Sequence, residues 1–457
     1  MASFPALTLP PIPIVEPYWL WSRPRLLPPL PALPTAPQRA DVAIIGGGLA
    51  GLSAALHILR RHPAWRVVVL EAGTLGSGAS ARSTGMLSPG VGQSLPALVR
   101  RLGTGPATTL YSQTLAAVRD VCALIDDERI ACDLQLGGQL VYARSPAERK
   151  RLASLAALMA ALGLGGAVAV LDDTACAARL RLALGQASPG PAALHFPTAG
   201  VLDPLRLIVG LCERVQARGG QVYEQSRVLD LVSEAGDRAV RVQLADRELV
   251  AAQVVVATAG FSPQLGVLPG RLLPVQLQAL VTAPLSDESL SQLGWAAQDG
   301  VLDARRLFNY FRLTADRRIL FGGGRPRYGW GGSDGGKAPL EQALGRLSSE
   351  LGRVFPNALG VRAEGGWGGT IGYVLDALPA IGRLPDRPRI VHAVGWCGHG
   401  VALASACGAW IAQLLDGKPL PALPWFRSQV PRVPTELARY VGFAATTRMM
   451  ALQDHWG

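Results

Sequence analysis

Asp41-Val42-Ala43-Ile44-Ile45-Gly46-Gly47-Gly48-Leu49-Ala50-Gly51 is the stretch on which the fold turns. The apolar run Val42 to Ile45 reads as a buried strand, the glycines follow at once, and Leu49 to Arg61 has the apolar spacing of a helix. A second apolar run, Val67 to Leu70, completes a strand, turn, helix, strand unit that ends in Glu71. In that setting the spacing G-x-G-x-x-G has a mechanical meaning. Gly46 makes the tight turn, Gly48 lets the backbone approach a pyrophosphate, and Gly51 lets the helix sit close against the strand. Leu49 and Ala50 open the helix, where free N–H groups and the positive end of the helix dipole favour phosphate. Glu71, with Ala72 beside it, is placed to accept hydrogen bonds from a ribose. The hexapeptide alone is weak evidence, and a purely structural glycine turn is its plain alternative. Strand, glycines, helix, strand and acid together predict a dinucleotide site.

Around this unit, 457 residues exceed one compact core, since single cores rarely grow past roughly 250 to 300 residues. The pattern predicts an α/β protein of two interleaved parts. A Rossmann-like cofactor domain is expected from 39–95, 196–271 and 366–420. A substrate domain on a mainly antiparallel sheet, with a helix from Leu340 to Phe355, is expected from 96–195 and 272–365. Residues 1–38 form a proline-dense arm holding Tyr18, Trp19 and Trp21; it is expected to be extended, with neither helix nor central strand, and open to docking by its aromatics. Residues 421–457 form a tail with a helix from Thr435 to Trp456.

The net charge of +11 comes almost wholly from arginine, because Lys150, Lys337 and Lys418 are the only lysines. The arginines are scattered singly or in pairs, so no nucleic-acid partner is expected. Six cysteines without C-x-x-C spacing predict free thiols and neither zinc nor disulfides. The uncharged segment Leu152 to Leu171 is broken by Gly163, Gly165 and Gly166, so it reads as a core helix and a strand, not a membrane span. The chain start lacks the pattern of a signal peptide, and a cytoplasmic location is expected.

Three further stretches carry chemistry. Ser77-Gly78-Ala79-Ser80-Ala81-Arg82-Ser83-Thr84-Gly85 is a run of small residues and hydroxyls around one arginine, suited to phosphate and polyol oxygens; a plain loop is its alternative. The strand Val254 to Ala257 ends in Thr258-Ala259-Gly260, a turn able to lie over a cofactor. The strand Ile390 to Val394 leads into Gly395-Trp396-Cys397-Gly398-His399-Gly400 and a small-residue helix from Val401. Its freed helix start is suited to stabilise negative charge on a cofactor ring. By contrast, Gly322-Gly323-Gly324 precedes Arg325-Pro326, which cannot start a helix, so it is a turn and no second nucleotide unit exists. Electrons are then expected from an organic substrate, not from a pyridine nucleotide.

These features in this order resemble the FAD-dependent amine and amino-acid oxidoreductases of the D-amino-acid oxidase type, and among them the gamma-glutamylputrescine oxidases. The resemblance is carried by Asp41 to Gly51, Leu70 to Gly85, Tyr310-Phe311-Arg312-Leu313-Thr314 with Leu320 to Gly324, and Gly398-His399-Gly400. It implies FAD, with Gly46, Gly48 and Gly51 at the pyrophosphate and Glu71 at the ribose. Ser80 and Arg82 would lie by the phosphate and ribityl region, Val228 by the adenine, and Gly398 to Val401 by the flavin pyrimidine edge. It also implies a small-molecule amine substrate losing hydride to the flavin, with oxygen or another acceptor taking the electrons.

The sequence departs from the family at several points. Relatives commonly follow the arginine with Asn-Gly-Gly, whereas Ser83-Thr84-Gly85 stands here. Sarcosine oxidases carry a substrate-binding lysine where Ala402 stands, which disfavours simple amino acids. Their flavin-linking cysteine falls near Trp367, so FAD is expected to be non-covalent, with Cys397 as the minor alternative. No lysine lies between Lys150 and Lys337 to serve the oxygen step; Arg271 or His399 are the expected substitutes, and a dehydrogenase is open. Low polarity around Trp367, Tyr373, Tyr310 and Trp396, with His399, would favour the uncharged amine; these aromatics are as readily core. A flavin hydroxylase or reductase, and an FAD-binding subunit without its own turnover, are the alternatives.

Overall fold

The computed structural model describes residues 12–23, 26, 28–182, 189–295, 299–333, 336–356, 361–433 and 435–456. The opening unit folds as read. Gln38–Ile45 and Val67–Leu70 pair in parallel, Val42 opposite Val67 and Ile45 opposite Leu70, with the helix Leu49–Arg61 between them. Glu248–Val256 pairs in parallel on the other side of the first strand. Gln221–Tyr223 and Arg387–Val394 extend the parallel sheet, and Ala380–Leu384 adds an antiparallel edge. Leu49–Arg61 packs against the helices Pro204–Ala217 and Gly400–Leu415, which explains its nearly continuous burial. A Cβ on Gly408 would lie 2.3 Å from the Ser53 carbonyl oxygen, so the small residues of Gly400–Leu415 set the approach of the two helices.

The second sheet runs Arg327–Tyr328, Leu272–Thr282, Ile319–Gly323, Asn309–Leu313, Gly300–Asp303, Gln139–Tyr142, Ala193–Phe196 and Ala169–Leu171. Ala363–Val374 pairs along the free side of Leu272–Thr282. The sheet is antiparallel except where Gly300–Asp303 meets Gln139–Tyr142. The helix Lys337–Val354 covers one face: Cβ atoms on Gly366 and Gly368 would lie 2.6 and 3.3 Å from Leu344 and Leu340. On the same side Phe311, Phe321, Tyr142, Trp295 and Phe355 form an aromatic cluster.

Several expectations shift. The boundary expected at 366 falls inside the strand Ala363–Val374, which pairs along its length with Leu272–Thr282 of the second sheet. Within the described part of the arm, Tyr18–Trp21 is one helical turn and not extended chain. It starts after Pro17, whose fixed φ suits a helix start, and packing of Tyr18 and Trp19 into the core stabilises it. Residues 1–11 lie outside the described residues. Asp287–Leu293 is a helix that the sequence reading passed over. Leu152 to Leu171 divides as expected between the helix Pro146–Ala161, a turn at Gly165–Ala167 and the strand Ala169–Leu171. No described helix is long and apolar enough to cross a membrane. All six cysteines are free thiols.

Candidate active site

The glycine turn makes a cradle that side chains would fill. Gly46 has φ +109°, and a Cβ on it would lie 2.8 Å from the Ala257 oxygen; one on Gly51 would lie 2.0 Å from the Gly46 oxygen. Gly48 caps the helix without a side chain, a Cβ on it would lie 3.0 Å from Ser80 Oγ, and that oxygen accepts the Leu49 N–H at 3.2 Å. Ala50 and Gly51 follow in the first turn, whose N–H groups find no acceptor within a helix. Glu71 accepts the Gly47 N–H on Oε2 and the Gly73 N–H on Oε1, both at 2.9 Å. Each carboxylate oxygen retains a lone pair for a ribose hydroxyl. The Ser226 N–H donates to the Glu71 carbonyl at 2.8 Å and the Gln225 N–H to Gly73 at 3.0 Å. The segment holding Val228 therefore runs beside Glu71 and Ala72. These residues fit the adenosine diphosphate half of FAD.

From Ala79–Arg82, a single helical turn, the chain passes through Ser83-Thr84-Gly85 without regular structure. Ser83 Oγ donates to the Ser80 carbonyl at 2.9 Å and accepts the Gly85 N–H at 3.3 Å. Gly85 has φ +77°, and a Cβ there would lie 2.0 Å from the Leu202 oxygen. Arg82 donates from Nε to Ser77 at 2.9 Å and from Nη1 to Gly368 at 2.7 Å, and its stem lies across Gly369. Burial pushes the Arg82 guanidinium below its ordinary pKa.

The remaining candidates converge through sheet register. Trp367 stands opposite Ala279, Ala279 opposite Gly322, and Gly322 opposite Tyr310, a row across four strands. Opposed residues share a face, so Trp367 and Tyr310 face the same way with only Ala279 and Gly322 between them. Trp367 Nε1 donates to the Arg82 carbonyl at 3.0 Å, and Tyr373, three pairs along the same face, donates its hydroxyl to Gly92 at 3.3 Å. That face is the one turned to the loop 82–92. Burial pushes the Tyr310 hydroxyl up to about 12 and raises that of Tyr373 as well, so both stay protonated. Gly260 meets Gly372 backbone to backbone: a Cβ on Gly260 would lie 3.2 Å from the Gly372 nitrogen.

His399 lies against the same loop, with Nε2 3.2 Å from where a Cβ on Gly90 would stand, and it caps the helix Gly400–Leu415. Burial lowers its pKa to about 4, so the ring is neutral near pH 7 and is not the positive group expected of it. Arg271 is not that group either; its guanidinium bonds the Val430 carbonyl in a cleft shared with Arg387 and Arg432. All three lysines are exposed. Gly398 is exposed, Val401 is buried, and Trp396 packs partly against the first core cluster beside Gly400. Cys397 is buried at φ +48°, with its thiol donating to the Gly395 carbonyl at 3.1 Å and pushed up to about 12. A protonated, buried thiol is a poor nucleophile toward a flavin.

Two residues had no role in the sequence reading. Arg312, on the Tyr310 face of its strand, donates from Nη1 to Leu202 at 2.7 Å and to Thr84 at 3.5 Å, and burial lowers its pKa to about 10. The alternation Tyr310-x-Arg312 was the available signal. Trp19 donates its indole N–H to the Ser83 carbonyl at 2.8 Å, a contact across 64 residues that no local pattern announces.

Comparison with known proteins matches residues 41–414 to the family model described as DAO, FAD dependent oxidoreductase. The probable oxidoreductase OrdL of Haemophilus influenzae is 30% identical over 393 residues, covering 83% of this chain and 84% of that protein. The gamma-glutamylputrescine oxidoreductase of Escherichia coli is 30% identical over 379 residues, covering 82% and 84%. Among solved structures, glycine oxidase from Geobacillus kaustophilus superposes with a TM-score of 0.70 at 22% identity, over 87% of this chain and 100% of that one.

Proposed function

From the premise that the chain belongs to the DAO family of FAD-dependent oxidoreductases, we propose that it oxidises a small primary or secondary amine, gamma-glutamylputrescine-like or amino-acid-like, to an imine. The observation that carries this reading is the single sheet face on which Tyr310, Trp367 and Tyr373 stand against the loop 82–92. FAD, when bound, supplies the acceptor for a hydride from the carbon next to the amine nitrogen. The protein orients the substrate and excludes water. A weakly polar face disfavours the ammonium form and so supports the neutral amine that the transfer needs. Tyr310, held protonated, orients substrate as a hydrogen-bond donor; Tyr373, whose O–H is given to Gly92, offers its oxygen as an acceptor, and neutral His399 lies across the loop from them. Gly46, Gly48, Leu49, Ala50 and Gly51 hold the pyrophosphate, and Glu71 and Ala72 the ribose. Val228 lies at the adenine, Ser80, Arg82, Ser83, Thr84 and Gly85 along the ribityl and ring side, and Gly260, Gly398, Gly400 and Val401 around the ring. FAD is non-covalent.

Reoxidation by oxygen with peroxide release, in the cytoplasm, completes the proposal. A dehydrogenase is the second reading, favoured by the exposure of Lys150, Lys337 and Lys418, which leaves no lysine at the site. Purified protein mixed anaerobically with amines and amino acids tests both. Bleaching of the flavin by an amine, then peroxide on admitting air, is the expected result. Bleaching without oxygen uptake selects the dehydrogenase, and a flavin that no amine bleaches overturns the substrate class.

A further inference from the structure

Three consecutive carbonyls in the loop after Ala79–Arg82 each have a side-chain donor from a different part of the chain. Trp367, on the long strand Ala363–Val374, donates to Arg82; Trp19, in the N-terminal arm, donates to Ser83; and Arg312, on Asn309–Leu313, donates to Thr84. Ser83 to Gly85 lie in no helix or strand, and the backbone bond along this run is the one from the Leu202 N–H to the Gly85 carbonyl at 2.9 Å, which leaves the Ser83 and Thr84 carbonyls to side-chain donors. The Trp19 ring also lies under the Arg312 guanidinium, 5.6 Å from its centroid, and so supports the donor to the next carbonyl.

The arm is held firmly enough to do this. Trp19 and Tyr18 are buried in the main core cluster, and the Tyr18 hydroxyl bonds Asp316. Upstream, the Val15 N–H donates to Gly366 and the Gly366 N–H to Pro13, each at 2.9 Å. The arm lies before residue 41, outside the stretch matched to the family model.

We propose that the N-terminal arm is part of the cofactor site, with Trp19 a positioning residue that fixes the Ser83-Thr84-Gly85 backbone in its FAD-binding form. The inference rests on the FAD reading and on the assignment of this loop to the cofactor. A loop whose backbone is ordered during folding loses little further entropy when the ligand arrives. Removing the indole N–H releases one carbonyl and loosens the run that ends at Gly85. The effect is then felt at the flavin, with no residue of the arm touching it.

The test compares Trp19→Phe, which keeps a ring under Arg312 but removes the donor, with Trp21→Ala. Trp21 stands on the same helical turn with its ring over Arg318 and makes no hydrogen bond to the loop. FAD dissociation constants, the visible circular dichroism of bound flavin and the thermal midpoint of the apoprotein are measured for both. Trp19→Phe is expected to weaken FAD about five- to tenfold, the loss of one ordinary hydrogen bond, and to alter the flavin dichroism. Trp21→Ala is expected to leave both at the wild-type level. Wild-type affinity and dichroism in Trp19→Phe overturn the proposal, as does equal weakening in the two variants, which would mark general destabilisation. A wild-type protein that binds no FAD overturns the functional reading itself, a result distinct from either.

Discussion

The ring of Tyr310 lies over Gly322 on the neighbouring strand, so closely that a Cβ on Gly322 would sit 2.4 Å from Tyr310 Cε2. Glycine here makes room for the phenol on the face that looks toward the loop 82–92. Gly322→Ala is expected to displace the ring and lower kcat/KM for the amine by about tenfold, a loss of roughly 1.4 kcal/mol of transition-state stabilisation. FAD content should be unchanged. Steady-state kinetics beside a flavin spectrum check both halves.

Gly51→Ala tests the proposed pyrophosphate turn. Its Cβ would fall 2.0 Å from the Gly46 oxygen, a backbone atom that cannot step aside without opening the turn. The variant is expected to purify colourless, or to fail to fold. Absorbance of bound flavin and the circular dichroism of the peptide backbone distinguish these from a wild-type outcome.

Glu71→Gln keeps an acceptor for one of the two N–H groups of Gly47 and Gly73 and gives the other a donor to face. Roughly ten- to hundredfold weaker FAD binding is expected, matching the roughly 1.5 to 3 kcal/mol attached to hydrogen bonds of a charged group. Titration of the apoprotein with FAD measures it.

His392 is fully buried, donates from Nε2 to the Arg427 carbonyl at 3.2 Å, and has its pKa lowered by burial from 6.5 to about 4. Between those values the unfolded chain binds the proton more readily than the folded one, so stability rises with pH across this window and falls as pH drops through it. The slope from this residue is at most about 1.4 kcal/mol per pH unit. His392→Gln is expected to be less stable than wild type at pH 7, with the gap narrowing as pH falls from 6.5 to 4. Chemical unfolding at a series of pH values reads it.

Acid precipitation should leave the yellow cofactor in the supernatant, because Cys397, the alternative for a covalent link, is buried with its thiol pKa pushed up. Flavin retained in the washed pellet would contradict this.

How much of this was legible in the sequence follows the range of the interactions. The turn at Gly46, the acid at Glu71 and the helix start at Gly400 were readable because strand, turn and helix periods are local. The Trp367, Ala279, Gly322, Tyr310 row was not, since register between strands far apart in sequence is set by packing that no single strand displays. For the same reason the boundary at 366 cut a strand in two. The arm misled differently: proline density argued against any helix, yet Tyr18–Trp21 is a proline-free run that turns once because its rings have a core to enter. The neutral state of His399 depends on burial, which a glycine-flanked histidine does not announce.

Among the described residues, the strand Ala363–Val374 has its ladder with Leu272–Thr282 along one side. Its other side is met near one end by Ile14 at Gly366 and near the other by the turn Ala259–Leu265, where Gly260 meets Gly372. An open strand edge is a template for pairing with a second chain, and natural sheets cover or interrupt it. The arm therefore covers part of that edge at Gly366. A truncation at Gln38, which looks harmless beside an intact nucleotide fold, would leave a glycine-rich edge bare and yield a protein prone to aggregate.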